Sequence, residues 1–481
     1  MKARLLLAAL FAALFTLASA QTTVQYWDYW VTQGPAIDEI IATFEEQNPD
    51  ITIKKNTIGG GPYIESLNLA MQSGSGPDVF VLPNPGGDLL SGFLNYYDLG
   101  YLYNLSDFED AGEFREGFPT PESNFVEGSN IIDGNLYTAP FMGPAKPWLQ
   151  LYINTNVYEE AGLVDDAGNA VLPTSWEEFI ANSRTVAENT DAYGTAFSMQ
   201  QPWVAGWWYR VCNYSGVPYD GTVSGFDYRT GEFTFASNEC YKTVLNDLVM
   251  MADEDLIHPA SLSLSADDEG IRAIFAENEF AHLVAGEWVI AGWEQTHPEF
   301  EGFTATHLPF PGGEPESYFA GQVGGQWFAV NADTAVAEAA WAFFKFLHSA
   351  EAGAIWASNG NGLVLNTPQP YDEFATNEAF EYIFNSSDLV RVLPTPTIST
   401  PALAEVQQTL IGPSPDDILV GVLSGQIGDI DATLADLDAR KMQALETGLS
   451  DAQAAGVEVA MEDYLFPDWN PTEDFPVQTA E

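Results

Sequence analysis

Three short stretches of this chain carry flat aromatic rings, two of them directly beside a carboxylate. Trp27-Asp28-Tyr29-Trp30 is the first, and Tyr63 follows it behind a Gly59-Gly60-Gly61-Pro62 run. Trp203, Trp207, Trp208 and Tyr209, around Gly206, form the second; Gly286-Glu287-Trp288 is the third. A sugar suits such residues. Its ring faces expose C–H groups that stack on aromatic rings. Its hydroxyls need partners once water is excluded, and charge-assisted hydrogen bonds are roughly twice as strong as neutral ones. An unpaired group costs about 1–3 kcal/mol, so the hydroxyl pattern becomes specificity. Bond-breaking signatures are missing: there is no Gly-x-Ser-x-Gly, His-Glu-x-x-His or Gly-Lys-Ser/Thr run. The five histidines, His258, His282, His297, His307 and His348, lack metal-ligand spacing. No catalytic residue, metal or cofactor is expected. A secreted glycan-active hydrolase is the alternative, and it would need two carboxylates at a set separation.

The elements that must hold these rings read as α/β. A strand over Thr23–Trp27 precedes a helix pattern (Ile37, Ile40, Ile41, Phe44), a strand over Ile51–Lys54 and a helix carrying Tyr63, Leu67 and Met71. Gly76-Pro77-Asp78 then opens a third strand, Val79-Phe80-Val81. Strand, helix, strand, helix, strand is the start of an α/β sheet. Trp27 and Tyr29 fall at the carboxyl end of strand one, the end that faces the ligand crevice in open sheets; a place in the core is the competing reading. Four aromatics around Gly206 are too many for one helix face, so some are core and at least one lines a cleft. Thr174 or Ser175 caps a helix with Glu177 and Glu178 in its first turn. Ala335–His348 and Ile427–Leu445 are amphipathic helices.

Length and charge narrow the class. At 481 residues the chain is too long for one core, so two lobes are expected. Lys2 and Arg4, the apolar run Leu5–Leu17 and Ala18-Ser19-Ala20 read as a signal peptide over 1–20, with Gln21 beginning the mature protein. There are 69 acidic against 15 basic residues, a surface that repels nucleic acid and anionic membranes. Two readings of that charge stay open: adaptation to salt, which screens self-repulsion, or simple solubility. Cys212 and Cys240 are candidates for a disulfide in an oxidising compartment, with two buried free thiols as the alternative. Neither follows the signal core, so a diffusible periplasmic or secreted monomer without a lipid anchor is expected.

The order of several fragments resembles the sugar-binding family of ABC-importer extracellular solute-binding proteins, which includes maltose-binding protein. These are Phe44-Glu45-Glu46-Gln47-Asn48-Pro49-Asp50-Ile51, Ser73-Gly74-Ser75-Gly76-Pro77-Asp78-Val79, and Leu151-Tyr152-Ile153-Asn154 with Ala161-Gly162-Leu163 and Pro173-Thr174-Ser175-Trp176-Glu177-Glu178-Phe179. Gly286-Glu287-Trp288, Gly324-Gly325 and Ala339–Leu347 complete the series. The resemblance implies the two-lobed periplasmic binding protein (Venus-flytrap) fold, each lobe an α/β sheet sandwiched by helices with a hinge between. The lobes would take 22–146 plus 304–358, and 147–303 plus 359–481. It implies a bound sugar, with a di- or oligosaccharide favoured by the aromatic content, handed to membrane permease subunits. Trp288 resembles the family's stacking plate, with Glu287 beside it. The resemblance puts the residues after strand three at the cleft, Asn84 among them, with Asp78 either a ligand contact or the cap or brace of a turn, and Gly325 and Gln326 meet the ligand from the first lobe. Many relatives carry an Arg near the last crossing. Asn359-Gly360-Asn361-Gly362 has none, which leaves Asn361 as a weaker substitute. A polyol or glycerol phosphate is a further alternative, but a phosphate ester wants more local cations than this chain has.

Overall fold

The computed structural model describes residues 21–476 apart from 60, 84–88, 120, 142–148, 220–222, 265–267, 313–325 and 375–376. The signal segment, Asn84, Gly325 and most of the first crossing therefore lie outside the described residues. In chain order the first unit runs β1 (Thr22–Asp28), α1 (Gly34–Gln47), β2 (Ile51–Thr57), α2 (Gly61–Gln72), β3 (Val79–Val81) and β4 (Thr138–Pro140). The second runs β5 (Gln150–Asn154), α3 (Trp176–Asn189), β6 (Tyr193–Thr195), α4 (Glu239–Asp253), α5 (Asp268–Ala276), β7 (Phe280–Ala285), α6 (Trp288–Thr296) and β8 (Phe303–Thr306). The chain then returns to the first unit as β9 (Gln326–Val330), α7 (Ala337–Leu347) and α8 (Ala350–Ser358), and ends in a long helix, α9 (Ile430–Ala454).

Local sequence explains these elements. In β1 Val24, Tyr26 and Asp28 are buried while Gln25 and Trp27 are half-buried, the period of two a pleated strand imposes. α1 buries Ile37, Ile40, Ile41 and Phe44 on one stripe. It stops at Asn48 because Pro49 disfavours helical backbone in the residue before it. α3 starts at the expected cap: the Ser175 hydroxyl accepts from Glu178 N at 3.1 Å, and Glu178 reaches back to Thr174 N at 2.8 Å. β5 and β7 are buried along their whole length, as strands covered on both faces must be.

The strands form two separate mixed sheets. The first has the order β2-β1-β3-β9-β4, the second β8-β5-β7-β6. β1 runs parallel to β2 and β3; β9 runs antiparallel between β3 and β4. Each sheet has its own core. Val24, Phe80, Phe328, Trp341 and Phe344 belong to the first, Tyr152, Phe179, Trp208, Leu245 and Trp293 to the second.

Two expected boundaries move. Thr304–Thr306 pair with β5 in the second sheet, so the crossing back follows Thr306 rather than preceding Thr304. Asn359–Val364 stay with the first unit: Val364 lies in its core and Leu365 N donates to Phe141 O at 2.9 Å. The sequence placed these breaks by Gly and Pro punctuation, which marks turns but not which sheet the next strand joins. The expected Ile427–Leu445 helix begins at Ile430 and extends to Ala454. It contributes Leu445 and Leu449 to a third, smaller core with Phe226, Phe233, Tyr464 and Trp469. The acidic tail packs there, and Arg391 Nε holds it through Thr472 O at 3.0 Å.

Candidate functional site

β7 leads into α6 through Gly286 and Glu287. A Cβ at position 286 would lie 1.9 Å from Trp288 Cζ3, so only glycine lets the indole fold over the backbone there. The Tyr152 hydroxyl fixes this turn by donating to Gly286 O at 3.2 Å. Trp288 is half-buried and Glu287 is 6% exposed. Trp207 meets Trp288 edge-on, with centroids 5.7 Å apart at 68°. Trp203 meets Trp207 in the same way, 5.5 Å at 72°. Three indoles thus step from buried Trp207 (3% exposed) out to Trp203 (50% exposed). Trp208 and Tyr209 are core, as their crowding required. Cys212 and Cys240 are bonded to one another, which ties the 3-10 segment Gly206–Ser215 carrying Trp207 to α4.

In the first unit the carboxyl ends of β1, β2 and β3 lie level, with Asp28 opposite Thr57 and Trp27 opposite Phe80. Trp27 and Tyr29 are half-buried there. Tyr63 is fully buried. Its hydroxyl donates to Val81 O at 2.5 Å and approaches Trp27 O at 3.4 Å. It is a bolt across the strand ends rather than an exposed ligand contact, and its ring backs Tyr29 at 5.2 Å. Burial raises the pKa of both phenols, so they remain neutral.

Asp28 is also fully buried. It shares a strand face with Tyr26, two residues back, and with Thr57, its cross-strand partner. Burial raises its pKa, against the opposing effects of a Thr57 hydrogen bond and the Lys55 charge. Asp78 sits at the other end of β3 and is spent on the fold. Its Oδ2 accepts from Gln25 N at 2.7 Å and its Oδ1 from the Thr334 hydroxyl at 2.6 Å. That brace removes Asp78 from the strand ends where Trp27 stands.

Asn361 is 5% exposed. Its backbone carbonyl accepts from Trp356 Nε1 at 3.1 Å, and Trp356 lies 5.1 Å from Trp30. Asn361 thus joins the first unit's aromatic group, and its Oδ1 is buried without a partner among the described residues. Gln326 begins β9, beside a residue the sequence reading passed over. Trp327 is half-buried, stands 5.5 Å from Trp30, and its Nε1 has no acceptor among the described residues. In the sequence, the indole next to the Gly324-Gly325 pair is the signal for this position.

Two α/β lobes with the chain crossing repeatedly between them, each presenting aromatic rings at strand ends, define a two-lobed binding protein. Residues 30–354 match the model of the bacterial extracellular solute-binding protein family, and the chain belongs to that family. It is 26% identical over 327 residues to the diacetylchitobiose binding protein DasA of Streptomyces coelicolor, covering 66% of this chain and 67% of that one. Its fold matches the GacH receptor of Streptomyces glaucescens, solved unliganded and with acarbose, at TM-score 0.64 and 18% identity over 90% of this chain and 99% of that one. It also matches Lmo0181 of Listeria monocytogenes in complex with cycloalternan, at TM-score 0.61 and 20% identity over 91% of this chain and all of the other. Among the described residues no helix is long and apolar enough to cross a membrane.

Proposed function

We propose that the protein captures a carbohydrate between its lobes and delivers it unaltered to the permease subunits of an ABC importer. One observation carries this reading. Stackable indoles stand on both lobes: Trp288 and Trp203 on the second, Trp27 and Trp327, with Tyr29, on the first. Rings on both sides favour a guest with two C–H faces. Relatives named for a chitobiose derivative, or solved with acarbose and cycloalternan, support a carbohydrate. The stepped run from Trp288 to Trp203 favours a di- or oligosaccharide over a single ring. Glu287 and Asn361 would serve its hydroxyls, and Trp207 backs Trp288. A guest touching both lobes binds the closed form better and shifts the population towards it. The mature protein begins at Gln21, works outside the cytoplasm as a monomer, and makes or breaks no bond.

A thermal-shift screen against di- and oligosaccharides tests the reading, since a ligand at 100 times its dissociation constant adds about 2.7 kcal/mol of apparent stability. Calorimetry on Trp288→Ala should then show affinity reduced severalfold or more with the free protein still folded. Unchanged affinity removes Trp288 from the site. Release of shorter sugars during incubation overturns the transport role in favour of a hydrolase.

A further inference from the structure

The lobes touch through α6. Gln295 Nε2 donates to Thr32 O at 2.7 Å, a bond between residues 263 apart in sequence. Thr32 lies in the turn between β1 and α1, two residues beyond Trp30. On another part of α6, Gly360 of the first lobe presses against the helix. A Cβ on Gly360 would fall 2.5 Å from Glu294 Oε2 and 3.3 Å from Ala291 Cα. Gly360 also holds φ +72°, a left-handed conformation that side chains resist. Its loop is fixed to the first lobe: Asn359 Nδ2 donates to Glu39 Oε2 of α1 at 3.0 Å, and Trp356 Nε1 donates to Asn361 O. The same helix begins at Trp288. Gln295 is seven residues on, about 10 Å along the axis.

From this geometry we infer that Gln295 and Gly360 are positioning residues that seat α6 on the first lobe, and so set how strongly the protein holds a sugar that neither residue touches. α6 is a short rigid rod with Trp288 at one end and the latch further along. Closing the latch fixes the indole relative to the first lobe. Opening it swings plate and latch away together. Because only interactions that differ between open and closed forms shift the balance, the latch acts on the closure equilibrium rather than on sugar contacts. The inference rests on the reading of two closing lobes, but its first test needs no sugar.

That test is single-molecule energy transfer between dyes on Glu46→Cys in α1 and Glu188→Cys in α3, both exposed and one on each lobe. In the sugar-free protein, Gln295→Ala should lower the closed-to-open ratio by roughly two- to tenfold, the worth of one hydrogen bond. Gly360→Ala should lower it further by wedging the lobes apart; should that variant fold poorly, Gln295→Ala alone decides. Glu446→Gln, on an exposed position of α9 outside both the latch and the sugar site, should leave the sugar-free ratio as in the parent. A ratio unchanged by Gln295→Ala overturns the latch. If no saccharide in the screen shifts the unfolding midpoint while Gln295→Ala still changes the ratio, the carbohydrate reading falls and the latch stands.

Discussion

At the residue scale, the aromatic and acidic side chains divide by exposure. Trp288 and Trp203 keep accessible faces, but Tyr63 and Asp28 are buried and Asp78 spends both oxygens on backbone and hydroxyl donors. A sequence states that a carboxylate is present; whether its lone pairs are already taken depends on residues hundreds of positions away, such as Thr334. Burial has one consequence in pH. His348 lies among the rings of Phe114, Phe118, Phe141, Phe328 and Phe344, with Nδ1 donating to Phe344 O at 2.8 Å. Burial pushes its pKa down to about 4, and that of His282 likewise. Below the unfolded value near 6.5 the unfolded chain takes up protons that the folded one refuses. Each histidine's contribution is therefore complete above pH 6.5 and is lost as pH falls towards 4, by up to about 3 kcal/mol. Urea midpoints at pH 7 and pH 5 should differ less in His348→Phe than in the parent. Equal differences would clear His348 of that role.

At the element scale, the start of the first lobe was readable because β1 alternates and α1 carries a clean apolar stripe. The N-cap of α3 is Ser175, one of the two expected residues. What could not be read was which sheet a returning strand enters. β8 and β9 are both short strands after Gly- and Pro-rich stretches, yet one joins β5 and the other inserts beside β3. The third core was also hidden, because its parts come from a short hairpin (Phe226–Asp227 with Glu232–Phe233), α9 and the tail. The disulfide belongs to this scale, since it holds the Trp207 segment against α4. Closing a loop of 28 residues is worth about 3–4 kcal/mol by chain entropy. A Cys240→Ser variant should therefore unfold several degrees below the parent in calorimetry. An unchanged midpoint would mean that packing alone holds Trp207.

At the scale of the whole molecule, the net charge of −54 sets the behaviour in salt. Like charges spread over one surface repel, and the compact state suffers most. Raising NaCl from 0.1 to 1 M shortens the screening length from about 10 to about 3 Å. The unfolding midpoint should climb across that range. A flat response would mean that the acids serve solubility alone.

The order of the first sheet sets a clock on synthesis. β9 fills the slot between β3 and β4, yet its residues come only after about two thirds of the chain has been made. A nascent polypeptide lacks that strand until late, and pairing so distant in sequence is slow. The connectivity itself thus holds the first sheet incomplete while the whole of the second sheet is being made.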